Sequence, residues 1–153
     1  MNRLQVQLGF ILILLALLTG PVIPFALSPR LALAAHTVGV LGGLVLIALG
    51  ALAGAFALGP RAAAVMMWTW AYAAYANWLA CLLGGITGAS RLTPIAGAGT
   101  SGSWAAEAVV AFLLQSLSVA SIAGTGIAVW GLRERAIARV PQPAAADAVA
   151  ARG

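Results

Sequence analysis

Few side chains in this sequence can do chemistry, and most of those lie inside long apolar runs. His36 is the only histidine and Cys81 the only cysteine, and of the three acidic residues only Glu107 falls within an apolar run. Asn77 and Gln115 are strongly polar groups deep inside such runs. A neutral imidazole in that setting can bind a metal or haem iron, relay a proton, or hydrogen-bond a neighbour. Glu107 is the obvious neighbour, because a His36–Glu107 pair would satisfy both groups. Cys81 has no partner for an internal disulfide and reads as a small buried hydrophobe. With no second histidine, no CxxCH and no carboxylate cluster, one chain does not build a covalent haem, zinc or di-iron site. No nucleophile motif, P-loop or dinucleotide fingerprint is present.

The elements that must hold these groups are membrane helices. Of the 153 residues, 63% are apolar and only 7% charged. A soluble domain of that size could not cover its surface. Four runs reach the ~20 residues needed to cross ~30 Å of hydrocarbon. They cover about 4–27, 31–58, 62–87 and 104–132, and Ser28-Pro29-Arg30 and Gly59-Pro60-Arg61 break the first three apart. Arg3 ahead of a leucine-rich stretch resembles a signal peptide, but the run is too long, which predicts a retained helix. The expected fold is all-α, a polytopic four-transmembrane-helix bundle over 1–135, followed by a disordered cytoplasmic tail over 136–153.

All eight basic residues are arginine. With four spans, Arg3, Arg61, Arg133, Arg135, Arg139 and Arg152 share one side and only Arg30 and Arg91 the other. The positive-inside rule then predicts cytoplasmic termini in a bacterial inner membrane. The single, scattered arginines read as topology signals and headgroup contacts, so nucleic acid is not an expected partner.

Depth and helical phase narrow the site. His36 is expected ~8 Å from the outer end of the second span, with Glu107 equally shallow on the fourth. Asn77 and Gln115 lie deeper. His36, Gly43, Gly50 and Gly54 fall on one stripe with Gly39 beside it, so a second helix or a flat cofactor can approach the backbone there. Asn77 shares its face with Trp70 and Cys81, whereas Tyr72 and Tyr75 face elsewhere with Trp68. If both faces matter, the site must lie between subunits. The loop from about Gly88 to Ser103 is the only long one, and loops of this kind often carry function.

Ala35-His36, Gly39 and Gly42-Gly43 in the second span, Tyr72 to Ala80 (YAAYANWLA) in the third, Pro94-Ile95-Ala96-Gly97 in the loop, and Glu107, Phe112-Leu113-Leu114 and Val129 to Arg133 in the fourth carry a resemblance. Over roughly Ala35 to Arg133 the chain resembles the hydroxylaminobenzene mutases, small four-span bacterial isomerases related more distantly to styrene oxide isomerase. The resemblance implies an arylhydroxylamine-to-2-aminophenol isomerase, and a trimer holding ferric haem b between subunits. His36 would be the axial ligand and Gly39 and Gly43 the cofactor-facing glycines. It further implies that Asn77, Tyr72, Tyr75 and Trp78 orient the small aromatic substrate or stabilise its cationic ring. Glu107 would orient His36 or face developing charge. Relatives commonly carry asparagine six residues after the histidine. Here Gly42 stands there, so either a positioning amide is absent or Asn77 supplies it. An epoxide-to-aldehyde isomerase and a non-enzymatic membrane scaffold are the alternative readings.

Overall fold

The computed structural model describes residues 1–133, and all of its regular structure is helical. Helix α1 spans Arg3–Thr19, α2 Pro29–Ala51, α3 Pro60–Thr87, the short α4 Pro94–Gly97, and α5 Trp104–Gly131. The expected tail over 136–153, with Arg135, Arg139 and Arg152, lies outside the described residues.

Helix starts follow from capping and proline chemistry. Asn2 caps α1 by accepting from the Gln5 N–H at 3.3 Å, and Ser103 caps α5 by accepting from the Ala106 N–H at 3.3 Å. Pro29 and Pro60 open α2 and α3, where a missing N–H costs nothing. The end of α1 is governed by Pro21. Lacking an N–H, it cannot continue the ladder, and the chain tightens into a 3₁₀ turn over Gly20–Phe25.

Helix α2 ends at Ala51, not at Leu58 as its apolar composition suggests. The segment after it, still apolar, turns across the end of α5. There the Ala57 N–H donates to Gly131 O at 2.8 Å, and Leu58 fills the space that a side chain on Gly131 would take.

Helix α1 with the 3₁₀ turn that follows it (Arg3–Phe25), α2 and α5 are long and apolar enough to cross a membrane. Helix α3, with 28 residues, is as long as α5 but carries Trp68, Trp70, Tyr72, Tyr75, Asn77 and Trp78, which lower its hydropathy. It is packed between α2 and α5. The chain is a membrane protein whose helices form a row in the order α1, α2, α3, α5, and α1 and α5 make at most glancing contact. The expected bundle is therefore open on one side.

The α1–α2 seam is the tightest. A Cβ on Gly43 would lie 2.6 Å from the Gly9 carbonyl oxygen, so the two backbones touch where neither has a side chain. Leu12, Leu46, Ala71 and Ala74 form the buried core, with Trp70, Tyr75 and Trp78 packed around them. The Asn2 N–H donates to Gly50 O at 2.7 Å, and the Ser28 N–H to Gly85 O at 2.9 Å. These bonds tie the start of α1 to the end of α2 at one end of the molecule. At the other end they tie the α1–α2 turn to the last turn of α3.

Candidate active site

His36 sits half-buried on α2, and its Nδ1 lies 2.8 Å from the carbonyl oxygen of Ala16 on α1. The availability of that carbonyl traces back to Pro21. Leu17 O loses its usual donor to the proline ring, and the Gly20 N–H turns to it instead. Ala16 O is thereby released from its i+4 partner, and it accepts from Thr19 Oγ1 as well as from His36. A carbonyl only accepts, so Nδ1 carries the proton and Nε2 carries the lone pair. The ring is thus held in one tautomer, as ligating histidines commonly are. A single anchored imidazole fits iron in a porphyrin better than zinc, which needs three or four protein ligands.

The glycine stripe beside His36 is occupied by protein. A Cβ on Gly39 would lie 2.6 Å from Ala16 Cβ and 2.8 Å from Trp78 Cδ1, while Gly43 meets Gly9 and Ile13. Of the two partners that such a stripe admits, a helix and a flat cofactor, it is the helix that covers it here. Gly39 and Gly43 therefore do not present a face to a porphyrin, which corrects the sequence-based expectation for both.

Glu107 lies at the expected depth but serves the loop. Its Oε1 accepts from the Ser90 N–H at 3.1 Å and the Gly102 N–H at 3.0 Å, and its Oε2 accepts from the Arg91 N–H at 3.0 Å. One carboxylate thus joins the two ends of the 88–103 loop at the first turn of α5, where negative charge also suits the helix dipole. Ser90 Oγ donates to Thr100 O, and Ser90 packs into the space left by the missing side chain of Gly97. The Glu107 carboxylate is filled by these donors and His36 by Ala16. The expected His36–Glu107 pair is not formed, and Glu107 does not orient His36. Gln115 is exposed on α5 and lines a hollow with Arg91, Trp104 and Glu107.

Asn77 lines a groove of about 200 Å³ between α2 and α5, with α3 as its floor. Its only hydrogen bond among the described residues is a long contact from Cys81 Sγ, 3.8 Å from Oδ1. An amide so poorly partnered at membrane depth costs roughly 1–3 kcal/mol, which a ligand or water can recover. Gly42, Trp70 and Ser121 line the same groove. Gly42 and Asn77 therefore share one cavity, the geometry under which an amide on α3 can stand in for one on α2. Val38, Leu41, Gly42 and Val45 leave α2 about 140–240° around from His36, at 100° per residue. The groove and His36 are on opposite sides of α2, and one chain does not bring Asn77 to His36.

Of the expected aromatic groups, Tyr75 donates to Leu8 O at 2.8 Å and fastens α3 to α1. Tyr72 meets Ser116 Oγ at 2.6 Å and fastens α3 to α5, with its ring still exposed beside Trp68. Trp78 fills the notch at Gly39, and its indole N–H is buried without a partner. The sequence reading did not single out the Ala16 carbonyl, although Gly20-Pro21 was its signal. Ser121 had no role assigned from sequence, and Trp70 was placed on the Asn77 face without one.

A family profile described as styrene oxide isomerase matches residues 1–133. The hydroxylaminobenzene mutase HabB of Ectopseudomonas oleovorans is 43% identical over 151 residues, covering 94% of this chain and 92% of that protein. The hydroxylaminobenzene mutase HabA of the same organism is 37% identical over 71 residues, covering 46% of this chain and 53% of the relative. No solved structure matches the chain.

Proposed function

This chain belongs to the styrene oxide isomerase family, and from that membership we propose that it is the arylhydroxylamine-converting kind of isomerase. That the chain is an enzyme, and an isomerase, follows from its family and relatives. The proposed reaction turns hydroxylaminobenzene into 2-aminophenol. The N–O bond breaks, a C–O bond forms at the ortho carbon, and the proton displaced from that carbon ends on nitrogen. Atoms and electrons balance without any co-reactant. The extent of the match to HabB favours this over epoxide isomerisation.

We further propose that the cofactor is ferric haem b, which His36 would hold. The observation that carries it is the 2.8 Å contact from His36 Nδ1 to Ala16 O, which leaves Nε2 free to ligate. Iron held there would supply Lewis acidity toward the substrate's oxygen. The chain's own residues do the rest. Asn77 hydrogen-bonds the hydroxylamine group and fixes which ortho carbon is presented. The electron-rich face of the Trp70 indole, in the same groove as Asn77, favours positive charge spread over the substrate ring. Apolar walls keep water from competing for the ring carbon.

Because Asn77 and His36 lie on opposite sides of α2, the proposed site is shared. His36 of one copy faces the Asn77 groove of the next in a homo-oligomer, taken as a trimer. The exposed length of α5, with Gln115 turned away from α3, supports a further protein contact along this helix. The same reading places four spans in a bacterial inner membrane with both termini cytoplasmic. The starts of α1 and α3 and the end of α5 carry Arg3, Arg61 and Arg133, against Arg30 and Arg91 opposite.

The test uses purified protein in detergent. A Soret band is expected. Incubation with phenylhydroxylamine and, separately, with styrene oxide, followed by chromatography, is expected to give 2-aminophenol from the first. Phenylacetaldehyde from the second alone would reassign the substrate. A haem-free preparation that still converts phenylhydroxylamine at full rate would remove the iron.

A further inference from the structure

We propose that the groove between α2 and α5 binds the substrate's aromatic ring, and that Leu117 and Ser121 set the largest ring it accepts. Volume is the first argument. The groove holds about 200 Å³. A cavity of about 150 Å³ takes benzene, so this one matches a single ring with a substituent of two heavy atoms more closely than a fused pair of rings.

The lining is the second argument. Trp70 forms one wall, and its position is fixed from behind. A Cβ on Gly124 would lie 2.9 Å from Trp70 Cδ1 and 3.1 Å from Nε1, so the indole edge is seated against bare α5 backbone. The flat indole is then presented as a rigid surface rather than a mobile one. Gly42 lines the α2 side, where a Cβ would lie 3.1 Å from Ala74 Cβ, and Asn77 supplies the one poorly partnered amide. Ser121 donates its hydroxyl proton to Leu117 O at 2.7 Å, so toward a ligand it can only accept. One amide among apolar walls suits a neutral ring with one polar substituent and rejects a charged ligand.

Access is the third. Helices α2 and α5 make at most glancing contact, so the groove is open between them, on the side where the proposed oligomer sets His36 of the next copy.

The inference rests on the isomerase reading for the polar substituent but not for the ring. Its test is built so that the two fail separately. Leu117→Ala widens the groove and Ser121→Leu fills it. Phenylhydroxylamine and 1-naphthylhydroxylamine are the two probes. Leu117→Ala is expected to raise the naphthyl-to-phenyl ratio of kcat/KM about tenfold, and Ser121→Leu to raise KM for the phenyl compound about tenfold with kcat little changed. The haem spectrum should stay that of the wild type in both. In parallel, aniline, which has the ring and nitrogen but cannot rearrange, is added during thermal unfolding. It is expected to stabilise the wild type and not Ser121→Leu. Turnover with ring selectivity and KM within twofold of wild type in both variants overturns the groove. Aniline stabilisation of the wild type and not of Ser121→Leu, without turnover of either hydroxylamine, upholds the groove and overturns the reaction.

Discussion

His36 Nδ1 and the Ala16 carbonyl oxygen, 2.8 Å apart across the α1–α2 seam, form a contact that Pro21 makes possible from the 3₁₀ turn beyond α1, five residues after Ala16. Restoring the missing N–H should undo it. In Pro21→Ala the ladder can run on, Ala16 O regains its own donor, and His36 loses its fixed tautomer. The expected result is a shifted Soret band and haem loss ~10-fold faster, the usual scale for removing a ligand's orienting partner. His36→Ala should lose both haem and activity. Full activity and full haem content in His36→Ala would dismiss the imidazole as ligand.

Glu107 predicts a different phenotype. Glu107→Gln replaces one acceptor oxygen with a donor, which must face one of the Ser90, Arg91 or Gly102 N–H groups. The loop should open locally while the helices stay packed. Hydrogen exchange at those three amides is expected to rise at least ~10-fold, with the haem spectrum unchanged. A spectrum that moves with this substitution would tie Glu107 to His36 after all.

The seam itself is sensitive to one methyl group. Gly43→Ala places a Cβ against the Ile13 side chain and 2.6 Å from Gly9 O, so backbone as well as side chain must yield. The expected loss is about 1–3 kcal/mol, the range for overpacking, read by unfolding in mixed micelles. Gly54→Ala, with nothing within 4 Å, is the matching control and should unfold like the wild type.

How much of this was legible in the residues depends on what each residue type encodes. Apolar runs and Gly/Pro breaks marked the helices, because spanning lipid leaves little choice of side chain. They misplaced the end of α2, since Phe56, Ala57 and Leu58 are as apolar as a helix but turn to meet Gly131. The stripe through Gly39 and Gly43 announced a close approach without naming what approaches, and α1 is the answer. Depth put Glu107 level with His36, but depth says nothing of direction, and the carboxylate turned to three loop amides. The acceptor for His36 was invisible for a simpler reason. Every residue has a carbonyl, and only the Gly20-Pro21 pair hinted that one of them would be left free. Phase did carry through: Trp70 and Asn77, one face by count, do line one groove.

The separation of His36 from Asn77 around α2 yields the sharpest expectation. If one chain cannot assemble the site, His36→Ala and Asn77→Ala should each be inactive or nearly so in a pure homo-oligomer. Co-expressed with different affinity tags and purified through both, they should recover activity, because some interfaces then join an intact His36 from one copy to an intact Asn77 from its neighbour. With random mixing in a closed ring, about a quarter of interfaces are whole, so about a quarter of wild-type turnover is expected. Tag selection enriches mixed rings and raises that fraction somewhat. Mixing the two purified variants after assembly should restore nothing until subunits exchange, which separates true sharing from a trace of wild-type protein. Co-purified oligomers as inactive as their parents would place His36 and Asn77 in the same protomer's site, or remove Asn77 from the chemistry. A single-variant Asn77→Ala enzyme with full turnover decides between those two.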